Sequence, residues 1–234
     1  MTAEFTSAEA GIILLSLRVA LASVTLSLPF AFAIAYLLAR AEFAGKTALD
    51  VVVHLPLVLP PVVIGFALLL LFGKQGVLGA WLNDWFGLVF AFRWTGAALA
   101  SAIMGFPLMV RAIRLSLAGI DRRLETAART LGAGRWQVLW SITLPLALPG
   151  ILTGVLLSFA RSLGEFGATI TFVANIPGET ETLPLAIYAL AETPGAELQA
   201  LRLSLYAVAL SVLALGGSEW LARRSRRAFG SPLL

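Results

Sequence analysis

Apolar residues in this chain gather in long runs, and charged residues are confined mostly to the short stretches between them. A helix that crosses a bilayer needs roughly 20 mostly apolar residues. Five segments meet that requirement, at about 11–39, 51–72, 95–113, 146–173 and 203–221. Proline and glycine inside them are tolerable, because neighbouring helices can re-satisfy freed backbone groups. The pattern predicts an all-α, polytopic transmembrane helical bundle, with residues 1–234 forming one domain. Two further segments are too short to span. Gly76 to Trp94 carries Trp81, Trp85, Phe92 and Trp94, residue types that favour the membrane–water interface. Leu183 to Leu190 reads as a short helix or re-entrant piece, opened by Pro184 and closed near Pro194 and Gly195. No internal repeat and no low-complexity tract is found.

Composition sharpens this picture. Hydrophobic residues make up 59% of the chain without counting glycine, against about 45–50% in soluble domains with glycine included. The absence of cysteine excludes disulfides and thiolate chemistry. The single histidine, His54, has no partners for a metal site and is read as a structural residue at the start of a helix. The N-terminal MTAEFTSAEA lacks the basic region of a secretory signal, so the first apolar run is expected to stay as a membrane anchor.

The formal net charge of +4 points to topology rather than to nucleic acid. One set of loops holds Arg40, Lys46, Arg111, Arg114, Arg122, Arg123, Arg129, Arg135, Arg223, Arg224, Arg226 and Arg227. The other holds only Lys74, Arg93 and Arg202, beside Glu4, Glu9, Glu179, Glu181, Glu192 and Glu197. Positive charge marks the cytoplasmic side. The expectation is five crossings, with the N-terminus outside and the C-terminus in the cytoplasm.

The informative loop is 118–145. Its helical stretch Leu124 to Leu131 places Leu124, Ala127, Ala128 and Leu131 on one face, with Glu125 and the arginines largely elsewhere. Gly132, Ala133 and Gly134 then interrupt the helix, since glycine readily ends one in a left-handed conformation. Pro145 is expected to start the following membrane helix, where its missing N–H costs little. This knob suits either a plug for a partner protein or an amphipathic loop lying on lipid.

The same residues resemble the "EAA" loop of ABC-importer permeases. Ala127, Ala128, Gly132, Ile142, Leu144 and Pro145 fit its pattern, while Thr126 stands at the usual acidic position and Glu125 one residue earlier. The resemblance continues through Ala44-Gly45-Lys46, LPLVLPPVVIGFALLLLFG and ARSLGEFGATITFVANIPGETETLPLAIY, which are similar to permeases of the molybdate/sulfate type. Gly164 to Ala168 occurs in variant form in sulfate permeases, and Asn175 to Thr180 tilts the resemblance to molybdate; a sulfate/thiosulfate or a tungstate permease is the alternative. The resemblance implies a type I ABC-importer permease fold in the bacterial inner membrane. It also implies a homodimer, two cytoplasmic ABC ATPase subunits carrying ATP and Mg, and a periplasmic molybdate-binding protein. The loop 118–145 would then form the coupling helix that docks on the ATPase, with Glu125, Ala127, Ala128, Gly132, Ala133, Gly134, Ile142, Leu144 and Pro145 as its candidate coupling residues. No catalytic residue is expected in this chain.

Two features are candidates for the path of a dianion. Pro60 and Pro61 should break the second apolar run and start a half-helix near Val62, whose positive end can face an anion; a purely structural kink is the alternative. Arg161 and Glu165, four residues apart, should meet on one helix face, either as a neutralised structural pair or with Arg161 facing the path. Arg18 is placed to snorkel outward or to meet Glu165. Gly45-Lys46-Thr47 imitates the end of a phosphate-binding loop, but the position five residues before Gly45 is Arg40, not glycine. An ATP-independent secondary transporter and a non-transporting scaffold are the competing function classes.

Overall fold

The structure, a computed structural model, describes residues 7–228, with side chains at 215 and 218–228 outside the description. It is all helical there. The order is α1 (Ser7–Arg40), α2 (Lys46–Val58), α3 (Pro61–Phe72), α4 (Val77–Phe86), α5 (Trp94–Ala118), α6 (Arg122–Thr130), α7 (Arg135–Val138), α8 (Leu144–Leu163), α9 (Gly167–Val173), α10 (Leu183–Ala191) and α11 (Glu197–Ala228). Glu4 lies outside the described residues, as do the side chains of Arg223, Arg224, Arg226 and Arg227.

Among the described residues, four helical stretches are long and apolar enough to cross a membrane: Ser7–Arg40, Trp94–Ala118, Arg135–Leu163 and Glu197–Ala214. The second apolar run is divided. Lys46–Val58 and Pro61–Phe72 meet at an angle of 112°. Proline clashes with the preceding turn and lacks an N–H, so Pro60 and Pro61 cannot continue the helix; Pro61 instead opens α3 at its first turn. His54 lies well inside α2 rather than at a helix start, its Nδ1 placed 2.9 Å from the Asp50 carbonyl one turn back.

The fourth run also departs from expectation. Its helix stops at Leu163, and a second, short helix begins at Gly167. Upstream it extends further than the sequence suggests. Pro145 does not start it, because the chain is already helical from Arg135, through a π-helical turn at Leu139–Thr143. In that turn the Leu144 N–H reaches back to the Leu139 carbonyl. The wider ring accommodates a proline immediately afterwards without breaking the rod.

Helix α5 is the centre of the bundle. Ala97, Ala98, Ala100, Ser101, Ala102 and Met109 are buried on it, and small side chains let neighbouring membrane helices approach closely. One half of the core joins Leu38, Ile113, Leu117 and Ile151 from α1, α5 and α8. The other half joins Val19, Leu68, Met104, Ala168 and Phe172 from α1, α3, α5 and α9. Leu14, Leu21, Phe30, Val52, Leu70 and Val212 face outward, as expected where the solvent is lipid.

Helix α10 carries Pro184 in its first turn and packs beside α1 and α11 around Leu183, Ala186 and Leu203. The tryptophan-rich segment forms α4, with Trp81 and Trp85 exposed. Arg18 is exposed and, among the described residues, does not pair with Glu165, whose partner is Arg161. The Arg18 guanidinium lies 3.8 Å above the Trp94 ring, a cation–π contact that stabilises a charge in an apolar setting.

Candidate functional site: a glycine-ended knob and a junction of broken helices

Helix α6 begins at Arg122, two residues before the expected start, because Asp121 caps it. The Arg123 N–H donates to Asp121 Oδ1 at 2.9 Å. It ends in a paired-bond motif. Gly132 takes φ +90°, its N–H donates to the Arg129 carbonyl at 3.0 Å, and the Ala133 N–H donates to the Ala128 carbonyl at 3.0 Å. This left-handed position is one that glycine alone occupies cheaply, and the two bonds satisfy carbonyls the helix leaves open. Gly134 then leads into α7.

The helix is turned opposite to a soluble amphipathic one. Leu124 and Ala127 are exposed, and Leu131 at its end is 89% exposed. Glu125, the carboxylate of this helix, is only 8% exposed. Its Oε1 receives a hydrogen bond from Arg40 Nη2 at 2.8 Å and another from the Thr143 hydroxyl at 2.9 Å. Arg122 Nη2 also donates to the Ala39 carbonyl at 3.2 Å. Glu125 thus belongs to the inner face of the knob, where it joins the end of α1, helix α6 and the π-helical turn of the next membrane helix. Ile142, Leu144 and Pro145 lie in or beside that turn, away from the exposed tip at Gly132–Gly134.

The second region is a junction of two breaks. Pro61 at the α2–α3 bend lies against Gly167, where a Cβ would come 2.8 Å from Pro61 Cβ. About one turn of helix further on, Gly65 lies against α9, where a Cβ would meet the Ala168 carbonyl oxygen at 2.5 Å. Both sequence candidates for the path therefore converge on one place. The pairing of Arg161 with Glu165 is present, at 2.5 Å between Arg161 Nη1 and Glu165 Oε2, but not on a continuous helix face. Glu165 sits in the break after Leu163 and is 2% exposed. Its Oε1 accepts the Ala168 N–H at 2.8 Å, so the carboxylate caps the first turn of α9 while it neutralises Arg161.

Three charge pairs went unseen in the sequence. Glu9 is buried and pairs with Arg202, which ties α1 to α11. Asp50 pairs with Arg114 at 2.8 Å, and His54 Nδ1 lies 3.3 Å from the same oxygen. Arg40 pairs with Glu125. All three join residues far apart along the chain, and only the Asp50–His54 spacing of four gave a local signal. Lys46, of the false phosphate loop, binds Glu42 at 2.7 Å and holds that carboxyl below its ordinary range. Among the described residues no group of three or more metal-ligating side chains comes together.

The family model for "Binding-protein-dependent transport system inner membrane component" matches residues 15–227. The chain is 61% identical over 218 residues to the molybdenum transport system permease protein ModB of Escherichia coli, covering 93% of this chain and 95% of that one. It is 58% identical over 222 residues to ModB of Haemophilus influenzae, covering 95% and 97%. Its fold resembles the crystal structure of a bacterial ABC transporter involved in import of the acidic polysaccharide alginate, with a TM-score of 0.74 at 18% identity over 94% of this chain and 80% of that one. This chain belongs to the inner-membrane components of binding-protein-dependent transport systems, among the ABC-importer permeases of the molybdate/sulfate type.

Proposed function

We propose that this chain is the membrane-spanning subunit of an ATP-driven importer of a tetrahedral oxyanion, with molybdate as the substrate. The observation that carries the reading is the orientation of α6. Leu124, Ala127 and Leu131 point outward without a covering partner in the chain, while Glu125 is turned inward. An exposed apolar face rimmed by charge marks an interaction site, and here it fits a groove on an ATPase subunit. Molybdate as cargo rests on the relatives, which are named for molybdenum transport.

In this reading the bent α2–α3 pair counts as one crossing. Five crossings then place the N-terminus outside and residues 118–145 in the cytoplasm, as the lysine and arginine distribution favours. Two copies enclose one path, two ATPase subunits bind below with ATP and Mg, and a periplasmic molybdate-binding protein delivers the cargo above. Closure of the ATPases draws the two knobs together. Glu125, Arg40 and Thr143 pass that movement to α1 and α8, and the bundle alternates between outward and inward access. The chain is not an enzyme; nucleotide hydrolysis resides on the separate subunit.

Reconstitution tests this directly. Molybdate uptake into vesicles is expected only when the ATPase, ATP and the binding protein are all present. Uptake by the chain alone would instead identify an ATP-independent transporter, and preferred uptake of sulfate or tungstate would reassign the cargo.

Two substitutions probe the sites. Gly132→Val forces a β-branched residue to φ +90°, at a cost of about 1–2 kcal/mol or more in the knob. It is expected to leave ATP hydrolysis running while uptake falls, and unchanged uptake with unchanged subunit binding would count against docking there. Arg161→Ala removes the counter-charge of buried Glu165 and is expected to lower uptake more than assembly, with Arg161→Lys retaining part of it. Full uptake by a well-assembled Arg161→Ala complex would remove Arg161 from the path.

A further inference from the structure

Arg111 and Arg114 stand nearly one turn apart on α5 and line a cavity of about 380 Å³ with Asp50 and His54 of α2. Asp50 fixes Arg114 at 2.8 Å and lies 3.3 Å from His54 Nδ1. One carboxylate is therefore set against two guanidinium groups. Arg111 is exposed, and among the described residues it joins none of the ion pairs. Arg111 stands about two turns from the end of α5 that leads into the basic loop, so a cation with no counter-charge of its own is held at the knob-side end of a membrane-length helix.

Arg111 also lines a neighbouring groove between α5 and α8, about 390 Å³ in volume, with Gly150, Thr153 and Leu157 on its α8 side. Positions 150, 153, 157 and 161 recur at intervals of three and four, so they share one face of α8. Arg161 caps that face roughly 12 Å beyond Thr153, from the eight-residue separation along a helix. The two charged places, one at the helix break and one nearer the knob, thus border a common strip of surface.

We propose that Arg111 and Arg114, oriented by Asp50, form a second oxyanion site on the knob side of Arg161, where the translocated dianion rests before release. The proposal rests on the oxyanion-import reading given above. Guanidinium groups present planar donor pairs that match a tetrahedral oxyanion, and the match is geometric as well as electrostatic. The Asp50 carboxylate leaves the two-arginine set with one uncompensated positive charge when His54 is neutral. That suits a site from which a dianion must depart. A phospholipid phosphate offers the same chemistry, so the experiment must separate the two.

The test uses the permease–ATPase complex in proteoliposomes, with molybdate uptake driven by ATP and the periplasmic binding protein. In parallel, equilibrium dialysis of radiolabelled molybdate against the complex without the binding protein reports direct binding, and native mass spectrometry reports retained phospholipid. Arg111→Gln is expected to weaken molybdate binding about 10-fold or more, the loss of one charge-assisted hydrogen bond. Uptake should fall with it while the ATPase stays bound, and Arg111→Lys should restore most of both. Wild-type binding and uptake in Arg111→Gln would overturn the site and leave the import reading intact. Loss of an anionic phospholipid with molybdate binding unchanged would assign the pocket to lipid and equally overturn it. A wild-type complex that imports no oxyanion would remove the import reading itself, and this site with it.

Discussion

Glu125→Ala is expected to cost the permease about 3–5 kcal/mol, the usual penalty for leaving one member of a buried ion pair without its partner. Arg40 and Glu125 are each about 10% exposed at the side chain, so solvent can do little to screen the orphaned guanidinium. The Thr143 hydroxyl would lose its acceptor as well. Because these groups join α1, α6 and the π-helical turn, the loss is expected in two readouts together: a lower unfolding midpoint of the purified permease and poorer recovery of its ATPase partner. Glu125→Gln keeps an acceptor for Thr143 and should fall between the two. The double variant Arg40→Met with Glu125→Leu should regain much of the stability, since a buried pair replaced by apolar groups of similar volume is often neutral. An alanine variant as stable and as well coupled as the wild type would show that the inward carboxylate holds nothing together.

Gly65→Leu should also be damaging, at the junction of the two helix breaks. The approach of α3 to α9 leaves no room for a side chain there. A Cβ would meet the Ala168 carbonyl oxygen at 2.5 Å and the Thr171 Cβ at 2.9 Å, and backbone atoms cannot rotate away as a long side chain can. Overpacking of this kind costs about 1–3 kcal/mol and sometimes more. The helix would have to lift off α9, disturbing Pro61, Gly167 and the Glu165 cap together. The expected outcome is a permease that still recruits its ATPase through the distant knob yet imports little substrate. Gly65→Ala gives a milder version. Normal uptake by the leucine variant would mean that the junction of the two breaks is not held as tightly as its geometry indicates.

Much of the architecture was legible because hydrophobic length is a local property. The runs near 11–39, 95–113 and 203–221 each became one helix at close to the expected place. The Pro60–Pro61 break was equally readable, since a ring with no N–H acts on its own turn. Glycine at position 132 announced its left-handed turn for a similar reason. The misreadings had non-local causes. The helical stretch after Gly134 runs into α8 as one rod, because a π-helical turn rather than a break precedes Pro145. The run at 146–173 looks unbroken by hydropathy, whereas Glu165 ends one helix and caps the next.

The candidate site was divided in the same way. Its exposed half, Ala127 to Gly134, followed from spacing and glycine chemistry. Its buried half did not, since Arg40 and Glu125 are 85 residues apart, and only the packing of α1 beside α6 makes them partners. The two path candidates were each found by local rules, the prolines by backbone sterics and Arg161 with Glu165 by charge.

The sequence by itself determined the class of molecule: a helical membrane protein, the rough limits of most of its spans, the break at Pro60–Pro61 and a glycine-ended knob. These depend on bilayer thickness, proline geometry and the freedom of glycine at positive φ, all of which act within a few residues. Only the tertiary structure decided that α6 turns its leucines outward and its carboxylate inward, and that the breaks at Pro61 and Gly167 touch. It alone decided that Arg111 and Arg114 share a cavity with Asp50 and His54. Charge pairing and close backbone approach act through space, and chain separation carries no record of them.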